Sequence, residues 1–339
     1  MDTVDTTFGS DRFGLVWGYR FAPGEPATAI DCEAAERVLA DHAGQAHPGE
    51  FLWLHFSLAN VAAERWLRQH LALPDSFHTS LINASGGTRV EQEEDWLIAV
   101  IHDVLFEFRF DASDVSTVGL CVGPQVMVSA RPRPVRSLDR LRAAIKAGET
   151  FASTADLLAH LLQDQAAVLV DIVRQATARV DDSEDNLLSH RVSLSRAELS
   201  SLRRVLVRLQ RLLAPEPAAL FRLFARPPAW VEESDLDNLR RSAEEFSEAV
   251  ADSAALVERI KLLQEELAAV VNEQSNRILF LLALATVPAL PFNLIAGMFG
   301  MNVGGIPLAQ HRHGFVIVVA VVTVLTVLGG VIALRRKEW

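Results

Sequence analysis

Two stretches near the C-terminal end, Ile278 to Phe299 and Phe315 to Leu334, contain no charged side chain. A helix needs about 20 consecutive apolar residues to cross the hydrocarbon core of a bilayer, and both stretches reach that length. No stretch before residue 277 is comparable. The expectation is two membrane-spanning helices behind a large water-soluble domain, and 339 residues leave room for both.

Charge placement orients the two spans. Arg259, Lys261 and Arg277 precede the first, and Arg335, Arg336 and Lys337 follow the second. The loop between them carries only Arg312. Positive residues mark the cytoplasmic side, so both termini are expected in the cytosol and the loop outside. The opening MDTVDTTFGS is polar and acidic, unlike the basic and then apolar start of a secretion signal. The two cysteines, Cys32 and Cys121, match no paired-ligand spacing and read as buried free thiols in a reducing compartment. A net charge of −11 argues against a nucleic-acid surface.

Residues from about 13 to 130 read as mixed α and β. FGLVWGYR and FLWLHF are expected strands. WLIAVIHDVLFEFRF is expected to form two strands around a turn near His102 and Asp103, because Phe106, Phe108 and Phe110 alternate with Glu107 and Arg109. NVAAERWLRQHL predicts an amphipathic helix with Val61, Ala62 and Trp66 on one side. RPRPVRS marks a break, and Leu138 to Phe224 reads as mostly helical, with Ser153 as a helix cap. A helix near Leu194 to Leu213 carries Arg196, Arg203, Arg204, Arg208 and Arg211. After the turn at Pro227 and Pro228 the sign reverses, and acidic residues dominate Val231 to Asn276 without a proline or glycine until Pro288. One helix is therefore expected to run from the cytosol into the first span, about 65 residues and roughly 100 Å long. The basic and acidic helices are expected to pack as a charge-complementary pair.

The first span carries a polar line. Stepping by three and four from Asn276 reaches Leu279, Ala283, Thr286, Leu290, Asn293, Gly297 and Gly300. Stepping backward reaches Asn272, Ala269, Glu265, Leu262, Glu258 and Ala255, on the seam of a seven-residue repeat. Polar side chains within a span face a bundle interior or a wet cavity. One reading is interhelical hydrogen bonding with nothing passing through. The other is a path lined by the seams of several copies, since two helices cannot enclose a pore. Neutral amide and hydroxyl oxygens would then hold a hydrated cation without trapping it. Leu279 and Leu290 would form apolar constrictions, and Glu258 and Glu265 would concentrate cations at the inner mouth, unless they are simply a solvated stalk face. Pro288 and Pro291 free carbonyls in the same span and predict a bend.

The span closes on Gly300, Met301 and Asn302, within GMFGMNVGGIP. A Gly-Met-Asn triplet between two terminal spans, after a long acidic helix, resembles the CorA superfamily of divalent-cation transporters. GMNVGGIP and FLWLHFSLANVAAERWL resemble its ZntB branch, associated with zinc. The resemblance covers the whole chain. It implies a funnel-shaped homopentamer with an α/β cytoplasmic domain, a long stalk helix and two transmembrane helices. The corresponding division is 1–230 for the α/β and helical cytoplasmic domain and 231–277 for the stalk. The first transmembrane helix is 278–299, the outer loop 300–314, the second transmembrane helix 315–334 and the basic tail 335–339. The resemblance also implies a ring of Asn302 at the entrance, with Asn293 and Asn276 as polar pore residues. Magnesium-transporting members commonly carry an acidic loop after the triplet. Here VGGIPLAQHRHG has no carboxylate, which favours zinc.

The expected function is Zn2+ transport across a bacterial-type inner membrane, with zinc as cargo, no cofactor, and coupling to protons as an open question. His311 and His313 in the loop are weak candidate zinc ligands or solvent-exposed histidines, and the remaining eight histidines show no clustered ligand spacing. The seam holds neither Cys nor His, which leaves a Mg2+, Co2+ or Ni2+ channel of the same architecture as the alternative. An alternative of another class is a membrane-anchored cytosolic sensor. No phosphate loop or nucleophile motif suggests an enzyme.

Overall fold

The structure, a computed structural model, describes residues 9–42, 49–82, 87–188, 192–286, 289–301, 308 and 311–335. The chain divides into two compact units, Met1–Leu263 and Gln264–Trp339.

The first unit is built on one seven-stranded sheet. Its strands are β1 (Leu15–Phe21), β2 (Thr28–Ile30), β3 (Phe51–Ser57), β4 (Arg89–Glu93), β5 (Trp96–Val104), β6 (Val115–Val122) and β7 (Val126–Arg131). The spatial order is β2-β1-β3-β7-β6-β5-β4, antiparallel throughout except for the central β3–β7 pair. A strand with both faces covered reads as a continuous apolar run. FLWLHFS is such a strand, buried at all seven positions. Its even residues Leu52, Leu54 and Phe56 pack with α1 (Cys32–His42), α2 (Ala62–His70) and α3 (Asp75–Ile82). Its odd residues Phe51 and Trp53 face the opposite layer. That layer is made by α4 (Arg136–Lys146), α5 (Thr154–Leu188), α7 (Pro215–Phe224) and the start of α8 (Glu233–Thr286). Cys32 and Cys121 are free and buried, as expected. The edge strand β4, RVEQE, exposes Arg89, Glu91 and Glu93 or half-exposes them.

Helix boundaries follow local chemistry. Ser153 caps α5 by accepting the Asp156 amide at 2.9 Å. Val135 begins α4 without a side-chain cap, and the carboxylate of Asp103 on β5 replaces one, accepting the Ser137 amide and hydroxyl at 2.9 Å each. Three helices continue beyond the sheet. Ile172, Val205, Leu209 and Phe246 pack in one cluster, and Val180, Leu202, Leu206 and Ile260 in the next, joining α5, α6 (Val192–Leu213) and α8.

Three expectations are corrected. Residues Trp96–Val104 form one strand running through His102 and Asp103, and 106–110 are not a strand. There the Asp114 carboxylate takes the amides of Arg109 and Asp111, and Phe110 turns to φ 61, which breaks an extended chain. In α2 the buried face is Ala63, Trp66 and Leu67, while Val61 is 85% exposed, so the apolar stripe lies one residue further on. The helices α6 and α8 do share apolar clusters, together with α5, but through leucines and Phe246. Among the described residues no α6 arginine pairs with an α8 carboxylate; the ion pairs of this layer join Arg259 to Asp181 and Glu184 on α5 at 2.7 Å. Burying leucine is worth far more than a surface ion pair, so the apolar stripes decide which faces meet.

The second unit holds the end of α8, α9 (Ala289–Phe299) and α10 (Gly314–Arg335). One helical stretch, within Glu233–Phe299, is long and apolar enough to cross a membrane, and a shorter apolar stretch covers Gly314–Leu328. The second expected span coincides with α10, a helix of 22 residues.

Candidate functional site

The expected seam lies on α8 and α9. Asn276, Leu279, Ala283 and Thr286 are on α8, and Leu290, Asn293 and Gly297 on α9, with Gly300 in the turn that follows. All are exposed in the single chain, Leu279 by 59% and Leu290 by 72%. On α8 this exposure does not distinguish the seam, since Ile278, Leu281 and Leu282 are as open. On α9 the geometry does distinguish it. Phe292, Ile295, Ala296 and Phe299 line an apolar crevice of about 130 Å³ against Phe315, Val318, Val319 and Val322 of α10. At about 100° per residue, the mean direction of Leu290, Asn293, Gly297 and Gly300 lies about 130° from that packed face. The polar line of α9 thus points away from α10.

Hydrogen bonding separates the polar members. The Thr286 hydroxyl donates to the Leu282 carbonyl at 2.9 Å, leaving its oxygen lone pairs outward. Among the described residues, the side-chain amides of Asn276 and Asn293 have no hydrogen-bond partner. A Cβ added at Gly297 would meet nothing within 4 Å, so its own chain does not require a glycine there. The Gly300 amide closes the helix on the Ala296 carbonyl at 3.0 Å. Met301 is 54% exposed, and Asn302 lies outside the described residues, as does Pro288.

Glu258 and Glu265 are exposed on α8, and Glu258 lies 3.5 Å from Lys261, an ion pair one turn on. His311 and His313 are exposed, with ring centres 6.4 Å apart, and the His313 amide donates to the His311 Nδ1 at 3.3 Å. Among the described residues no three His, Cys, Asp or Glu side chains gather as a metal site.

One cluster was not anticipated. Glu216 at the start of α7 is fully buried beneath β5. Its Oε1 accepts the His102 amide at 2.6 Å and the Thr88 hydroxyl at 3.3 Å, with His102 Nδ1 at 3.4 Å. Its Oε2 accepts the Gln165 side-chain amide at 2.8 Å. Burial raises the Glu216 carboxyl above its ordinary value, against the hydrogen bonds that hold it down. Burial also pushes the neighbouring Asp103 up to about 7. The sequence signal was a glutamate between Pro215 and Pro217 at a helix start, and a His-Asp pair inside an apolar strand. The cluster ties β5, α5 and α7 together.

Comparison with known proteins agrees with this architecture. Residues 48–336 match the family described as CorA-like Mg2+ transporter protein. The zinc transport protein ZntB of Pectobacterium atrosepticum is 26% identical over 291 residues, covering 85% of this chain and 87% of that protein. The divalent cation transporter CmaX of Pseudomonas aeruginosa is 27% identical over 272 residues, covering 79% and 81%. A solved structure of full-length CmaX superposes with a TM-score of 0.78 at 23% identity, over 97% of this chain and 99% of that one. The CorA magnesium transporter from Methanocaldococcus jannaschii gives 0.74 at 19%, over 95% and 98%. These two establish likeness of fold. With more than half of its length matched by the family, the chain belongs to the CorA-like Mg2+ transporters, a family of ion transporters rather than enzymes.

Proposed function

We propose that this protein carries Zn2+ across the inner membrane through a central pore made by five copies, each contributing the seam from Asn276 to Gly300. The observation that carries the reading is on α9, where Leu290, Asn293 and Gly297 face away from the side that holds α10. A polar face left bare by its own chain within a span needs a partner or water. Gly297, which its own chain leaves open, suits close approach of neighbouring helices. In the ring, Asn302 of the Gly300-Met301-Asn302 triplet supplies amide oxygens at the outer mouth. Asn293, Thr286 and Asn276 continue the neutral oxygen path, with Leu290 and Leu279 as dewetting constrictions. Glu258 and Glu265 draw cations to the inner mouth. The two spans, 278–299 and 315–334, put both termini in the cytosol. Zinc as cargo is supported by the ZntB relatives and by a loop without carboxylates.

The second reading, Mg2+, Co2+ or Ni2+ as cargo, rests on a seam of oxygen ligands without Cys or His. Proteoliposome flux separates the two. Zinc uptake should exceed that of the other ions in competition and fall at least tenfold in Asn302→Ala. A pH gradient that changes the zinc rate identifies protons as a second substrate, with His311, His313, Glu258 and Glu265 as the titratable groups to test. Preferred Mg2+ uptake, or an unchanged rate in Asn302→Ala, overturns the zinc assignment or the entrance ring respectively.

A further inference from the structure

The arginine face of α6 finds no ion-pair partner in its own chain among the described residues. The opposite side of this helix is used up, since Leu199, Leu202, Val205, Leu206, Leu209 and Leu213 are all buried against α5 and α8. The outward side exposes Arg196, Arg204, Arg208 and Arg211 around Val207, itself 42% exposed. None of these arginines forms an ion pair among the described residues. In a chain of net charge −11, such a segregated basic strip is conspicuous.

Its complement lies on α8. Glu244, Glu245, Glu248 and Asp252 are exposed and likewise unpaired among the described residues. Phe246, Ala249, Leu256, Val257 and Ile260 of α8 share two apolar clusters with the leucines of α6 and with α5. At about 100° per residue, the arginine row falls opposite the α6 apolar stripe and the acidic row to the flank of the α8 stripe. Among the described residues one chain does not bring its own rows together. Arg204, Arg208 and Arg211 on one helix, and Glu245, Glu248 and Asp252 on the other, recur every three or four residues, a common pitch of about 4.5 to 6 Å along the helix.

We infer that the α6 arginine face of one copy docks on the α8 acidic row of the next. This rests on the oligomeric reading above and adds to it the surface by which copies recognise one another outside the membrane. Two different, complementary surfaces on one chain make a head-to-tail contact, the kind that closes into a ring. Exposed ion pairs are individually weak, so the rows select register and direction of the ring, while apolar contacts elsewhere supply its cohesion.

The test uses the full chain, co-expressed as two differently tagged copies. One copy carries Arg208→Cys and the other Glu248→Cys; the native thiols are buried. A short bismaleimide should give a product bearing both tags, and should give none when Arg109→Cys, on an exposed loop, replaces Arg208→Cys. In parallel, Arg204→Glu with Arg208→Glu should raise the concentration of half-dissociation at low salt about tenfold. Adding Glu248→Arg and Asp252→Arg to the same chain should restore it. Wild-type oligomer mass with neither the two-tag product nor a charge-reversal effect overturns this docking and leaves the ring standing. A wild-type chain that is monomeric by mass overturns the ring, and the docking with it.

Discussion

Glu216→Ala probes whether the buried cluster braces the sheet domain. The carboxylate is fully buried and takes the His102 amide at 2.6 Å, the Gln165 side-chain amide at 2.8 Å and the Thr88 hydroxyl at 3.3 Å. Truncation leaves these donors without an acceptor in a region closed to solvent. Each orphaned buried donor costs about 1–3 kcal/mol, and breaking a buried charged cluster from one side costs about 3–5 kcal/mol. The long 3.3 Å contact puts the expected loss inside that second range rather than at the sum of the first. For a unit of this size each kcal/mol lowers Tm by about 2–4 °C, so Glu216→Ala should melt roughly 10 °C below wild type. Glu216→Gln keeps one acceptor but turns an amide toward Gln165, and should lose about 1–3 kcal/mol. The readout is tryptophan fluorescence of the purified full chain, because Trp17, Trp53 and Trp66 all report on the sheet domain. A fall of under about 2 °C in Glu216→Ala refutes the brace.

Further expectations concern pH and the seam. Asp103 is held up to about 7 by burial, against an ordinary value of 3.8. A folded state that binds the proton more tightly gains stability that is complete below about pH 4 and lost as pH rises through 7. The loss is at most about 4 kcal/mol from this shift alone, and denaturation of the full chain at pH 5 and pH 8 checks the sign. Gly297→Leu should leave the melting of the sheet domain unchanged, because nothing lies within 4 Å of an added Cβ. In proteoliposomes it should cut zinc flux at least tenfold, and equal flux refutes close approach at this position. Thr286→Val keeps the side-chain shape and removes the outward oxygen. Flux should fall several-fold without loss of protein in the membrane, and an unchanged rate removes Thr286 from the path.

Features with a strong local signal were legible. The continuous apolar run of β3, the cap at Ser153, the break before α4 and the start of α8 each depend on neighbours in the chain, and each appears where expected; α8 is described as far as Thr286, 54 residues against the roughly 65 expected of one helix. The residues of the expected seam fall on α8 and α9, where a three-to-four spacing sets them along one side, although exposure on α8 does not single that side out. The failures share a cause. The strand expected through Phe106, Phe108 and Phe110 obeys the right period, but a carboxylate at Asp114 captures the backbone first. The α6–α8 charge pairing obeys electrostatic logic, but leucine burial chose which faces meet. Glu216 escaped notice because its partners lie 51 to 128 positions away along the chain, beyond any local pattern.

The edge strand β4 matters most when copies crowd together. Five sheets gathered around one axis would offer several bare strand borders at high local concentration. RVEQE guards that border with Arg89, Glu91 and Glu93. Charged side chains along an edge, which would lose their hydration, penalise strand-to-strand fusion between neighbours. An assembly of such chains would thereby be steered toward helical faces and away from a runaway extended sheet.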